Sequence, residues 1–270
     1  MRGEPDRYLA ATLAPVGVRS ALAALAAFSA EVARIPATVS EPLLGEIRLQ
    51  WWRDVLTEGR DGRLSGHPVA DAMIAAGAHG RFSADLLEKM IDARAFDLSG
   101  AMPESDAELK SYLAATEGSA FLLAMCALGA SRTDVEELAA SAGYVYGVAR
   151  GLCRLPMLLH NGGVILPALR LKDAGIDPAR LTSGPGGAEL DSALRRLAEA
   201  MIMDARSVLA EIRVRARGLA RPHRAALLPL AMVEPYFRAQ SSHRIRIEPA
   251  DVSPVRRVVR IGLAHLTGRP

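Results

Sequence analysis

The stretch TDVEELAASAGYVYGVARGLCRLPMLL, Thr133–Leu159, decides the fold class. Apolar residues recur in it at spacings of three and four, the period of one helix face. Thr133 with Glu136 reads as a capping box, in which hydroxyl and acid satisfy orphaned backbone N–H groups. The spacing predicts a helix from Thr133 to about Leu159, closed by Asn161-Gly162-Gly163.

The same reading extends in both directions. Toward the N-terminus, Ser105 with Glu108 opens a second predicted helix through Leu128, which holds the longest apolar run, Ala120 to Ala130. Ser83 caps a helix to about Leu98, and Pro68 opens a short one ending near Gly77. A helix after Pro42 carries Leu43, Leu44, Ile47, Trp51 and Val55 on one face, and the first helix runs from Val16 to Ile35, stopping before Pro36. Toward the C-terminus come Glu189–Arg217, Arg221–Gln240 limited by Pro222 and Pro229, and a helix from Pro254. Ser183-Gly184-Pro185-Gly186-Gly187 reads as a linker: no strand precedes it and no Lys follows, as a phosphate-binding loop requires. The expectation is an all-α fold over 1–270, with a flexible loop at 183–188 and a C-terminal extension at 241–270.

Composition agrees. Of 270 residues, 50% are hydrophobic but only 4% aromatic, so the core is aliphatic and no base-stacking platform for single-stranded nucleic acid is expected. No unbroken apolar run reaches the roughly 18–20 residues of a membrane span. Cys126 and Cys153 lack partner spacing and read as packed thiols in a reducing compartment, and the histidines lack zinc-ligand spacing. The opening Met1-Arg2-Gly3-Glu4-Pro5-Asp6 has no apolar signal core, which points to a cytoplasmic protein. The net charge of +3 conceals 15 Arg against 6 acids from Arg195 onward. Such a segment suits an anionic partner, including the inner face of the cytoplasmic membrane, or is a solvated face.

Carboxylates four apart share a helix face and can hold Mg²⁺ against a diphosphate. Asp54/Glu58, Glu88/Asp92 and Glu104/Glu108 have that spacing, each with Lys or Arg nearby, so each also reads as a surface pair.

Two segments carry a more specific resemblance. Leu25 to Ile35, leading to Leu49-Gln50-Trp51-Trp52-Arg53-Asp54, and Gly143 to Arg150, leading to Leu166-Pro167, resemble the squalene/phytoene synthase family. Asp6-Arg7-Tyr8, Arg19, Asp97-Leu98 and Tyr112 fall in the same order. The resemblance implies a helical bundle around a central cavity and two aspartate-rich motifs that hold Mg²⁺ against prenyl diphosphates. By that alignment the acid positions are Ala33, Arg34, Ala37, Arg154 and Leu158, none of which is acidic. Two of them place a cation where a divalent metal belongs. A branch of the family with this character, similar through Glu41 to Arg48, is taken to assist assembly of respiratory complex I.

The expected function is therefore binding or assembly, with no cofactor, no nucleic acid and no metal. The expected partners are respiratory-complex subunits, a hydrophobic or prenyl ligand, and a peripheral membrane contact. The alternative is an active Mg²⁺-dependent head-to-head prenyl diphosphate synthase, with an acidic site rearranged around Glu88, Asp92 and Asp97. Candidate cavity residues implied by the alignment are Tyr8, Phe28, Arg48, Trp52, Arg94, Asp97, Tyr112, Tyr146, Arg150 and Arg154. Arg48, Arg53, Arg94, Arg150 and Arg154 either converge on an anion or sit in surface pairs with acids.

Overall fold

A computed structural model describes residues 3–160, 163–178, 181, 187–242 and 249–269, and among them every regular element is helical. The order is α1 (Pro5–Leu13), a 3₁₀ turn at Val16–Val18, α2 (Arg19–Thr38), α3 (Pro42–Glu58), α4 (Pro68–Ala78), α5 (Ala84–Asp92) and α6 (Arg94–Leu98). Next are α7 (Asp106–Leu113), a π-turn at Ala114–Gly118, α8 (Ser119–Ala127), α9 (Arg132–Cys153), α10 (Leu155–His160) and α11 (Ala168–Asp173). The chain continues with α12 (Ala188–Ala216), α13 (Arg221–Arg224), a 3₁₀ segment at Ala225–Met232, α14 (Val233–Ser242) and α15 (Pro254–Thr267). Of the loop expected at 183–188, residues 183–186 lie outside the described residues, as do Asn161 and Gly162.

α9 is the axis of the bundle. Every residue from Ala142 to Cys153 is buried, enclosed by the π-turn, α8, α12 and α14. A helical stretch covered on all sides is a core element. The approach of the π-turn is possible because both sides are glycine: a Cβ on Gly143 would lie 2.3 Å from the Gly118 nitrogen. α2 packs between α1, α4 and α8. Residues 16–38 have the length and mean hydropathy of a membrane span, yet Leu25, Phe28, Val32 and Ile35 are all spent inside the bundle.

Several local expectations are corrected. α2 continues through Pro36 to Thr38, although the proline leaves the Val32 carbonyl without its helical donor; only two residues follow it before the helix ends. Helix α9 begins at Arg132, one residue before the expected capping box. Ser131 occupies its N-cap position, and the Thr133 hydroxyl bonds the Ser131 hydroxyl rather than the backbone. The helix ends at Cys153, with Arg154 as its C-cap, instead of running to Leu159. Ser105 does cap α7, accepting from the Glu108 N–H, but the helix after it is interrupted by the π-turn. Ser83 precedes α5, where its hydroxyl bonds the Asp85 carboxylate, and the helix breaks at Ala93. Residues 225–232, expected as α-helix, are 3₁₀ around Pro229.

The largest correction concerns α3. The expected inward face largely points out: Leu43, Leu44, Ile47 and Trp51 are exposed, and only Val55 of that set is buried. The inward face is Gly45, Leu49, Trp52 and Val55. Both faces have helical periodicity. The choice between them follows from α6, whose Leu98 fills the space above Gly45, where a Cβ would collide at 2.2 Å.

Candidate functional site

The centre of the bundle holds a lattice of charges, of which Glu4, Arg7 and Arg150 are buried and Glu117 is 14% exposed. Glu4 and Arg7 come from the start of α1, Glu117 from the π-turn, and Arg150 from the last turn of α9. Arg7 Nη1 lies 3.0 Å from Glu4 Oε2 and 2.7 Å from Glu117 Oε2. Arg150 pairs with the other Glu4 oxygen and stands 3.7 Å from Glu117 Oε1. Both guanidinium groups also lie over the Tyr146 ring, 5.0 and 5.1 Å from its centroid. Two acids thus meet two arginines, and the desolvation of each ion is offset by ion pairing and hydrogen bonds.

Below this lattice, the fully buried Asp6 joins four helices. Its Oδ2 accepts from the hydroxyls of Tyr146 at 2.8 Å and Tyr236 at 2.7 Å, and its Oδ1 accepts from Arg257 Nε at 2.6 Å. A third group lies between α6 and α7. Arg94 Nη1 is 3.0 Å from Asp97 Oδ2 and donates to the Tyr112 hydroxyl, which donates to Asp97.

Burial by itself raises the Glu117 carboxyl, but the charges of Arg7, Arg150 and Arg94 outweigh it and hold the group near pKa 2. The Tyr146 hydroxyl is pushed up by burial and by Asp6, so it stays a hydrogen-bond donor. Arg154 is shifted down, first by the neighbouring Arg150 charge and then by burial. It pairs with no carboxylate of the described residues, and its Nη2 donates to the Gly3 carbonyl at 3.3 Å.

Not all the residues singled out from sequence meet here. Tyr146, Arg150 and Arg154 do, and Arg94, Asp97 and Tyr112 form the adjoining group. Phe28 and Trp52 are buried core, their rings edge-to-face at 5.2 Å, while Trp51 is a partly exposed rim residue. Tyr8 is partly exposed. Arg48 is on the surface, bonded to the Thr38 hydroxyl, and Arg53 is paired with Asp92, so neither joins the convergence. Ala37 is exposed, Ala33 and Leu158 are half-buried, and Arg34 is 62% exposed with Glu31 as its partner.

Sequence reading missed Glu4, Arg7, Glu117, Tyr236 and Arg257 as site residues. Asp6 and Arg7 enter the sequence reading only through the family resemblance. Glu117 carried a usable signal: a lone acid between Ala115 and Phe121 in an apolar helix must be paired if it is buried.

The family's Mg²⁺ needs clustered carboxylates, and the aligned positions offer methyl groups, a leucine and two guanidinium groups. These residues do not fit a divalent cation. The nearby acids are already committed to arginines, and no group of three or more His, Cys, Asp or Glu among the described residues is placed to hold a metal. Of the rearranged set, Asp92 is bound by Arg53 and Asp97 by Arg94 and Tyr112. Glu88 lines a separate cleft of about 310 Å³ between α3, α4 and α5, walled by Leu56, Met73, Phe82 and Ile91.

Comparison with known proteins adds three findings. The profile of the squalene/phytoene synthase family matches residues 1–260. The chain is 27% identical over 162 residues to the complex I assembly factor 6 of Mus musculus, and 28% and 29% identical to those of Homo sapiens and Bos taurus. Each alignment spans 60% of this chain and 49% of the relative, so the chain matches about half the length of these curated relatives. In fold it is similar to a dehydrosqualene synthase crystallised with ligand, with TM-score 0.75 at 16% identity over 97% of this chain and 92% of that one. It is also similar to the squalene synthase HpnC from Alicyclobacillus acidocaldarius, with TM-score 0.69 at 13% identity over 96% and 88%.

Proposed function

The chain belongs to the squalene/phytoene synthase family, and from that premise we propose that it has lost Mg²⁺-dependent prenyl transfer and serves in binding or assembly on respiratory complex I. One observation carries the reading: the five aligned acid positions are Ala33, Arg34, Ala37, Arg154 and Leu158. Ionising an allylic diphosphate requires stabilising the charge that develops on the leaving group. Arg34 is turned to solvent, and the Arg154 charge repels a cation instead of binding one. The relatives named as complex I assembly factors support the second half of the reading.

The test has two arms. Purified protein with Mg²⁺ and farnesyl or geranylgeranyl diphosphate is expected to leave the diphosphate unconsumed, and metal-dependent turnover would overturn the loss of activity. Tagged protein pulled down from native membranes is expected to bring complex I subunits with it, and their absence would overturn the assembly role.

The cleft between α3, α4 and α5 supports a narrower second reading, in which the protein also holds a small apolar ligand. Its volume falls at the low end of ligand pockets, with Arg53 and Glu88 as its polar members. Co-purification of an isoprenoid lipid, lost in Met73→Trp, tests it.

A further inference from the structure

α15 is oriented in a way that closing a core does not explain. Its inward residues are Arg257, Ile261 and Ala264, while Val255, Val258, Val259, Leu263 and Leu266 are between 51% and 74% exposed. At 100° per residue these five form one stripe opposite the inward three. A helix that buries an arginine and presents a stripe of valines and leucines calls for something to cover that stripe.

The surroundings identify what covers it. Arg256 and Arg260 flank the stripe on one side and form no ion pair with the described residues. On the His265 side, a cavity of about 400 Å³ opens between α15, α13 and the end of α1. Arg19, Arg221, Arg224 and His265 line it together with Leu13, Pro15, Val16 and Leu228, and no carboxylate does. Arg19 gives Nε to the Ala14 carbonyl, and Arg224 gives Nε and Nη2 to those of Leu219 and Arg217. Their remaining donors, and all of those on Arg221, have no acceptor among the described residues. Val16, 78% exposed, continues the apolar surface at the cavity wall.

Guanidinium donors without acids, apolar walls and an adjoining outward apolar stripe match an anionic amphiphile arranged in a sheet. We propose that α15 lies in the headgroup–acyl boundary of an anionic phospholipid bilayer. Val255, Val258, Val259, Leu263 and Leu266 enter the apolar layer, and the cavity takes a lipid phosphate on Arg19, Arg221 and Arg224. Asp6 grips Arg257 from within and fixes the stripe outward. This inference is independent of whether prenyl transfer is lost.

Co-sedimentation of the full chain with vesicles tests it. Binding is expected to phosphatidylcholine–phosphatidylglycerol vesicles and not to phosphatidylcholine alone, and to weaken by about tenfold or more as salt screens the arginines. Leu263→Ser/Leu266→Ser and Arg221→Glu alter exposed side chains that lie outside the buried core. Each is expected to lower vesicle affinity by about tenfold with an unchanged thermal melt. Three results would overturn the proposal: equal binding to both vesicle types, variants that bind like the parent, or saturable binding of inorganic phosphate without vesicle binding. Absence of vesicle binding also overturns it and assigns the stripe to a protein partner.

Discussion

The Nε of Arg257 lies 2.6 Å from Oδ1 of Asp6, a contact between residues 251 positions apart. Because Tyr146 and Tyr236 occupy the other carboxylate oxygen, one anion ties α1, α9, α14 and α15 together. Asp6→Asn leaves Arg257 buried with only the exposed Asp251 carboxylate beside it, at a cost of about 3–5 kcal/mol. Tyr236→Phe removes one donor and is expected to cost about 1–2 kcal/mol. Urea unfolding of both variants checks the ranking, and equal losses would contradict the role of Asp6 as the hub.

Glu117 links stability to acid. Its folded pKa, near 2, lies below the ordinary value of 4.5, so its contribution is fully present above about pH 5 and is lost as pH falls toward 2. The shift corresponds to about 3 kcal/mol. In Glu117→Gln the overall stability drops at pH 7, and the slope of stability against pH between 5 and 2 becomes shallower. A pH series of chemical melts on both proteins reads the slope directly.

Gly143→Ala is expected to be among the most damaging small substitutions. The added carbon would meet backbone atoms of Gly118 at 2.3 and 2.5 Å, and backbone cannot move aside as a flexible side chain can. Separating α9 from the π-turn disturbs the best-packed part of the core, for about 2 kcal/mol or more. Gly17→Ala, where a Cβ meets nothing within 4 Å, is the matched control for thermal unfolding.

The two tryptophans are expected to differ sharply. Trp52→Ala removes a buried ring packed on Phe28, at about 3–5 kcal/mol. Trp51→Ala removes a side chain that is 40% exposed, at about 1 kcal/mol. Similar losses would mean that α3 is rotated to bury the Leu43–Ile47–Trp51 face.

That rotation marks where sequence reading stops. Pro68, Ser105 and Pro254 announce their helices because caps and proline act within one turn. Family text spread along the chain carries the architecture. Which apolar face of α3 turns inward is settled by Leu98 seated over Gly45, a contact 53 positions distant that leaves no local pattern. The charge lattice was hidden for the same reason: Glu4 finds Arg150, and Asp6 finds Arg257, only after the helices assemble. Arg94, Asp97 and Tyr112 were easier to anticipate, because α6 and α7 are near neighbours in the chain.

The π-turn at Ala114–Gly118 fits one more residue into its turn than an α-helix would, so α8 leaves it rotated by about 100° from the phase set by α7. It is a vernier between two otherwise continuous helices. Upstream of it, Tyr112 keeps its setting toward Arg94. Within it, Glu117 and Gly118 are dialled onto Arg7 and α9. Excising a single residue there would restore smooth helical winding while swinging Glu117, one of the two acids shared by Arg7 and Arg150, out of alignment. For this protein an uninterrupted helix would be the defect.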